Sequence, residues 1–334
     1  MIPDAAAESR LNLKQILAPV ADDIVLIDDQ LRSIATLEYP LVKTGIEAII
    51  AAGGKRLRPA ILFLSARFHK YDLQRLVPMA AAIELLHTAS LVHDDTIDQA
   101  LVRRGLPTLN SFVDEGTTVL VGDYLFAKSA VLSTMGGVMR ATRIFAESLV
   151  TISEGEIEQK FSTHDMSATR EQYFNRIYSK TAVLFAAAGE IGAVLSEAPE
   201  EDVQRLRQYA RQLGMAFQIV DDILDIQSTT EQLGKPVGGD LRQGTVTLPV
   251  MLFLERADSE SRELVRRAIE GGEDNEATIS EVLARINNSD AIERTNEVAR
   301  KFVEEAREAL AGLPDVPARH SLLDLADFAV QRGY

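Results

Sequence analysis

Two pentads, Asp94-Asp95-Thr96-Ile97-Asp98 and Asp221-Asp222-Ile223-Leu224-Asp225, each set three carboxylates into an otherwise apolar stretch. The first lies in Leu85–Arg104, LLHTASLVHDDTIDQALVRR, where Leu85, Leu86, Leu91, Val92 and Ile97 recur at helical spacing. On a helix, Asp94 and Asp98 share a face, and two like charges so placed repel. A hard divalent cation relieves that repulsion. Carboxylate oxygens are what Mg²⁺ takes, usually together with waters and substrate phosphates. His87, two turns before Asp94, falls on nearly the same face, and Arg103 and Arg104 follow just past the helix end. Either pentad alone also reads as a solvated acidic face. The second copy shifts the balance. MAFQIVDDILDI is too apolar for an ordinary exposed face, and carboxylates among Met215, Phe217, Ile219, Val220, Ile223 and Leu224 need partners. Two such helices suggest two walls of one cavity that holds several metal ions.

The 334 residues, 46% hydrophobic and 25% charged, suffice for one large domain or two. Gly and Pro are sparse, at 20 and 11, which argues against a turn-rich β architecture. A net charge of −15 argues against nucleic acid or an anionic membrane as the main partner. Against that acidity two basic clusters stand out, Lys55-Arg56-Arg58 and Arg103-Arg104. The absence of Cys excludes disulfides and thiolate metal sites. The start, MIPDAAAESRLNLK, lacks the apolar core of a signal peptide. No uninterrupted apolar run reaches the roughly 18 residues of a membrane span. The expectation is a soluble cytoplasmic protein with no transmembrane segment.

Taken in order, the spacing predicts one or two helices over Leu11–Leu37, set across the bundle or against a second subunit. A short helix over Leu41–Ala52 stops at Gly53-Gly54. GGKRLRPA follows, with Lys55 and Arg58 at the start of a helix Pro59–Phe68. Basic side chains there oppose the helix dipole, and a bound anion resolves the conflict; a solvated basic turn is the alternative. Leu76–Gln99 is the first carboxylate helix. Residues 105–116 read as loop, Thr117–Leu132 as a buried helix with Asp123 capping or pairing, and Met139–Lys160 as another helix. The tail of that helix, EGEIEQK, reads as exposed acidic surface. Arg170–Leu195 is expected as one helix, with Lys180 and Thr181 deep in apolar sequence; a buried Lys needs a partner, so Lys180 is expected to face an anion in a cavity. Glu197–Glu201 reads as loop. In the second carboxylate helix, Gln204–Ile226, Gln218 points at the site of Asp221, Asp222 and Asp225. Ser228–Gly244, with Lys235 and Asp240, reads as a mobile lid or a plain connection. Thr247–Glu255 starts another apolar helix, and Ser259–Gln331 reads as charged outer helices. Neither strand alternation nor a linker stands out, which gives one all-α domain over 1–334.

Together the residues offer two acidic clusters, several Lys and Arg, one well-placed His and an apolar lining. No Ser–His–Asp set or P-loop is present. Mg²⁺ with Lys and Arg stabilises negative charge on phosphate oxygens, and an apolar cavity holds a hydrocarbon. A prenyl diphosphate matches both.

As a set, GGKRLRP, LLHTASLVHDDTIDQALVRRGLPT, GDYLFA, KTA, FQIVDDILD and GKPVGGDLRQGTVTLP closely resemble the trans-isoprenyl diphosphate synthase family, in its order, from about Gly53 to Pro249. The resemblance implies an all-α isoprenoid-synthase bundle around a deep cavity, a homodimer, and head-to-tail addition of isopentenyl diphosphate to an allylic diphosphate. It implies that Asp94, Asp98 and Asp221 bind Mg²⁺, three ions with the diphosphate, with Asp95, Asp222 and Asp225 in or near the coordination shell. It further implies that Arg103, Lys180, Thr181, Gln218 and Lys235 hold the allylic diphosphate, and that Lys55, Arg58, His87 and Arg104 hold isopentenyl diphosphate. Thr245 departs from the family, many of whose members carry Lys there.

Chain length is expected to turn on Ala89 and Ser90. They lie one turn before Asp94, about 6 Å down the helix. Small residues there leave the shaft open, so the resemblance implies a long product and Ala89→Phe a shorter one. A long greasy product gives a reason for transient contact with a membrane. A short- or medium-chain synthase making farnesyl or geranylgeranyl diphosphate is the alternative, followed by a non-catalytic partner subunit. A cyclase would want a different second motif. A di-iron bundle needs paired Glu-x-x-His, of which Glu84 with His87 is the nearest candidate.

Overall fold

The structure, a computed structural model, describes residues 12–34, 37–103, 105–228, 237–271 and 275–331. Helical periodicity becomes helix nearly throughout. The chain opens with α1 (Leu13–Ile16), a 3₁₀ turn where Pro19 interrupts the ladder, and α2 (Ala21–Arg32). Next come α3 (Pro40–Ala52), α4 (Leu57–Ala66) and α5 (Leu73–Ile97). A hairpin, β1 (Val102–Arg103) with β2 (Leu106–Pro107), leads to α6 (Glu115–Thr134) and α7 (Met139–Ser162). Then α8 (Arg170–Ile177) and α9 (Val183–Leu195) flank a π-helical turn, Tyr178–Ala182. The long α10 (Glu200–Gln227) is followed by α11 (Gly239–Arg242) and α12 (Leu248–Arg256). Four helices close the chain: α13 (Ser259–Glu270), α14 (Asn275–Asn287), α15 (Ala291–Ala309) and α16 (Pro317–Gln331).

Helix α10 organises the core because its two halves serve different clusters. Leu206, Tyr209, Leu213 and Ala216 pack with α4, α5 and α9. Ile219, Val220, Ile223 and Ile226 pack with α12, α13 and α14. Helix α5 is buried all round from Met79 to Leu86, the pattern of a central helix. The helices Leu73–Ile97 and Arg170–Leu195 are long and apolar enough to cross a membrane, but 67% and 72% of their most apolar windows are buried inside the fold.

The differences from the sequence expectations have local causes. Helix α4 starts two residues early, so Pro59 is its third residue, where its missing N–H still has no intrahelical acceptor to lose. Helix α10 starts at Glu200, inside the stretch expected as loop, with Glu200, Glu201 and Asp202 on the favourable end of its dipole. The single helix expected over Arg170–Leu195 is interrupted by the π turn. Strands of two residues are too short to show alternation, so the hairpin, with Val102 opposite Pro107, was not foreseen. Ile16, Leu17, Val20, Ile27 and Leu31 join the larger core, so α1 and α2 lie against their own bundle. Apolar surface is left elsewhere: Leu120, Val131, Met135, Met139, Val150, Ile157 and Phe161 of the α6–α7 region are exposed.

Helices α4 and α9 approach closely at Gly192, where a Cβ would stand 2.2 Å from the carbonyl oxygen of Leu62. That contact seats α4, which carries Arg58. Gly192→Ala is expected to destabilise the fold by about 1–3 kcal/mol through overpacking, read as a lower midpoint in urea unfolding.

Candidate active site

The C-terminal end of α5 and the middle of α10 line one cavity of about 1230 Å³. Asp94, Asp95, Asp98, Asp221 and Asp222 reach it, as do Lys55, Arg58, His87, Ser90, Arg103, Lys180, Thr181 and Gln218. Leu41, Ile49, Leu91, Phe112, Ile152, Phe185 and Phe217 contribute apolar wall. The structure thus brings most of the expected site residues together. Two do not reach the cavity. Ala89 is fully buried in the core and Ser90 alone of that pair lines the shaft. Asp225 is 4% exposed. Its Oδ2 accepts the Asp240 N–H at 3.1 Å and its carbonyl accepts the Gly238 N–H at 2.7 Å, so it pins α11 to α10. Arg104 and Lys235 lie outside the described residues.

The first pentad straddles the end of α5. Asp98 is the C-cap, and its N–H donates to the carbonyl of Asp94 at 2.8 Å. Three carboxylates therefore crowd the negative end of a helix dipole. Arg103 Nε donates to Asp95 Oδ1 at 2.7 Å, and Asn110 Nδ2 donates to the Asp95 carbonyl at 2.7 Å, which fixes the hairpin side of the mouth. Burial pushes the Asp94 carboxyl up to about 6; Lys180 and Arg103 oppose this, and Glu156 and Asp98 reinforce it.

On the other wall, Tyr173 donates to Asp222 Oδ2 at 2.7 Å and Gln218 Nε2 donates to Asp222 Oδ1 at 2.9 Å. The Thr181 hydroxyl donates to Gln218 Oε1 at 2.7 Å. Burial and then the nearby Asp240 raise the Asp222 carboxyl, and these donors restrain the rise. Both oxygens of Asp222 thus meet protein donors, while the half-buried Asp221 faces the cavity. The π turn sets Lys180 and Thr181 on the cavity wall, and it is seated against Gly214, where a Cβ would be 2.7 Å from the Ala182 Cα. Lys180 is not buried as its apolar neighbours suggested; its side chain is 37% exposed, 3.2 Å from Glu156 and 3.4 Å from Gln159. Partial desolvation inside the cavity opposes its charge, but Glu156 and Asp94 hold the ammonium above its usual range. Arg58 stands 4.9 Å from the Phe185 ring centre and Lys55 5.6 Å from that of Phe328.

Glu156, Gln159, Tyr173 and Gln243 were not assigned to the site by the sequence reading, whereas Asp240 and Thr245 were noted in and beside the expected lid. Glu154 and Glu158 are exposed as expected, but Glu156 and Gln159 of the same tail line the cavity. Tyr173, Asp240, Gln243 and Thr245 also belong to the site or its support. The helical spacing of EGEIEQK held a clue: Glu156 and Gln159, three apart, share a face that excludes Glu154 and Glu158.

Among the described residues, no three carboxylate or imidazole groups converge on one point. The pentads supply hard oxygen donors to one cavity and not a finished cage. That fits Mg²⁺, which keeps waters and takes one or two carboxylates plus substrate phosphates.

Because the folded protein binds the Asp94 proton more tightly than the unfolded chain does, the ionised carboxylate costs stability above about pH 6, and the cost disappears as pH falls toward 4. Without divalent cations, Asp94→Asn is expected to raise the melting temperature by a few degrees at pH 7.5, by about half as much at pH 5 and by little at pH 4, measured by calorimetry.

The polyprenyl synthetase family model matches residues 39–286. Heptaprenyl diphosphate synthase component 2 of Geobacillus stearothermophilus is 41% identical over 97% of this chain and 100% of its own length. A decaprenyl diphosphate synthase from Rhodobacter capsulatus superposes with a TM-score of 0.90 at 38% identity, covering 97% of this chain and 100% of that one. A polyprenyl synthase from Caulobacter crescentus, crystallised with calcium and isoprenyl diphosphate, superposes with a TM-score of 0.91 at 35% identity over 98% and 100%. With the opposed aspartate helices in one cavity, these likenesses show that the chain belongs to the polyprenyl synthetase family and is a trans-prenyltransferase of the all-α isoprenoid-synthase fold.

Proposed function

We propose that this enzyme adds isopentenyl diphosphate units head-to-tail to an allylic diphosphate and releases a long-chain all-trans polyprenyl diphosphate. One observation carries the reading: a single cavity is lined by carboxylates of both pentads, by cations, and by apolar side chains. The named products of the relatives, heptaprenyl and decaprenyl diphosphates, support the long-chain part.

Asp94, Asp98 and Asp221 would hold Mg²⁺, three ions in all, which supply electrostatic stabilisation to the departing diphosphate. Arg103, Lys180, Thr181 and Gln218 bind and orient the allylic diphosphate. Before it arrives, Arg103 is neutralised by Asp95 and Lys180 by Glu156, so the diphosphate competes with these carboxylates for its two cations. Asp222 acts as a positioning residue, since both its oxygens meet protein donors, and Asp95 acts through Arg103, which donates to its Oδ1. Lys55, Arg58 and His87 hold isopentenyl diphosphate. The apolar wall excludes water from the allylic cation formed as the C–O bond breaks. The isopentenyl π electrons form the new C–C bond, and the released diphosphate takes the proton, restoring a double bond.

The apolar side chains left exposed on α6 and α7, Phe161 and Met139 above all, support a homodimer joined through that face. A cytoplasmic location, with brief membrane contact when the long tail is released, completes the proposal.

The purified chain alone, with Mg²⁺, isopentenyl diphosphate and farnesyl diphosphate, is expected to give all-trans prenols longer than geranylgeraniol after dephosphorylation and chromatography. Only short products would favour a short-chain synthase; none at all would favour a partner subunit. Asp94→Asn and Asp221→Asn are each expected to lower kcat by about 10²–10³-fold.

Ser90 lines the shaft and Ala89 does not, so the length gate is assigned to Ser90. Ser90→Phe is expected to shorten the product, and Ala89→Phe to destabilise the core by about 1–3 kcal/mol. Unchanged product length from a folded Ser90→Phe enzyme removes Ser90 as the gate.

A further inference from the structure

Arg56 stands between Lys55 and Arg58 in GGKRLRP, and the reaction gives it no role. It is the N-cap of α4 and holds a left-handed backbone, φ +47° and ψ +35°. Outside glycine that conformation costs about 1–2 kcal/mol, so something must hold it there. The holding contacts are on its own side chain. Nη1 donates to Glu84 Oε1 at 2.8 Å, and Nη2 donates to Asp28 Oδ1 at 2.9 Å and to the Ile50 carbonyl at 3.3 Å. The guanidinium is thus shared by α2, the end of α3 and α5. Its side chain is 11% exposed and that of Glu84 6%.

Glu84 lies one turn before His87 on α5, the helix that goes on to Asp94. Arg56 lies directly after Lys55 and two residues before Arg58. One ion pair therefore joins the two pieces of chain that carry Lys55 and Arg58 on one side and His87 on the other. A Lys in place of Arg56 would lack the planar fork needed to meet two carboxylates at once.

We propose that Arg56 is a positioning residue for the isopentenyl diphosphate subsite: its Glu84–Asp28 fork locks the α3–α4 loop to α5 and fixes Lys55 and Arg58 relative to His87. The proposal rests on the assignment of Lys55, Arg58 and His87 to that substrate. Its signature is selective. The side chains that grip the allylic diphosphate, Arg103, Lys180, Thr181 and Gln218, sit on the hairpin, the π turn and α10, and Arg56 instead meets Glu84, Asp28 and Ile50.

The test uses steady-state kinetics on the full chain, with each substrate varied in turn, for Arg56→Lys, Arg56→Met and Glu84→Gln, and thermal unfolding of each. The expected result is a KM for isopentenyl diphosphate raised about tenfold or more in Arg56→Met and Glu84→Gln, with the KM for the allylic diphosphate within about twofold. Arg56→Lys, which restores one of the two ion pairs, should lie between. In the Glu84→Gln background, Arg56→Met should add little, because the fork is already broken. If Arg56→Met fails to fold, Arg56→Lys and Glu84→Gln carry the test. A lower melting temperature with both KM values unchanged, or both raised equally, overturns the proposal and leaves Arg56 a structural residue. Arg58→Ala serves as the control for the underlying assignment. If it leaves the KM for isopentenyl diphosphate unchanged, the subsite itself is misassigned, which is a failure distinct from that of Arg56.

Discussion

An excess of carboxylate over cation, held at the end of a buried helix, is the constraint on which the rest of this structure depends. Asp94, Asp95 and Asp98 meet the negative end of α5, and the local cations Arg103 and Lys180 do not neutralise them, because Lys180 also answers Glu156. The protein tolerates this because α5 is anchored elsewhere, by an apolar stretch buried on every side. Stability is supplied at one end of the helix and given up at the other. An active site that must receive metal and diphosphate together has to be left short of positive charge beforehand.

The second acidic helix solves a related problem differently. Asp222 is enclosed, and Tyr173 and Gln218 meet its oxygens. Asp225 faces backbone N–H groups of the neighbouring loop. The three aspartates of DDILD therefore divide their work: Asp221 faces the cavity, Asp222 ties α10 to α8 and, through Gln218, to the π turn, and Asp225 holds α11. In DDTID the same division recurs, with Asp95 turned toward Arg103 and the hairpin. Identical residue types at identical spacing carry different roles because each side chain leaves the helix in a different direction.

That direction is what the sequence conceals. The all-α fold, the two acidic helices, the cations and the greasy lining were legible from spacing and apolar composition. Glu156 was missed because acidic neighbours on the solvent side made the whole tail look exposed. Tyr173 was missed because a lone Tyr in a polar segment gives no sign of a carboxylate forty-nine residues away. Ala89 and Ser90 are neighbours of similar size, and only the helix rotation decides which one meets the shaft. Arg56 looked like one more cation for an anion site, and its two carboxylate partners lie 28 residues away on either side. Each miss concerns a tertiary contact, for which local propensity carries no signal.

The π turn between α8 and α9 has one further consequence. It inserts an extra residue into a helical register whose flanks stay packed, so the two segments on either side can keep their own buried stripes while the inserted turn aims lysine and threonine sideways. A single-codon deletion at this point would restore an ordinary helix with both flanks still in phase, and swing the phosphate grip off the wall. The headgroup grip and the bundle's packing are therefore separable in inheritance, with the grip written into this one turn.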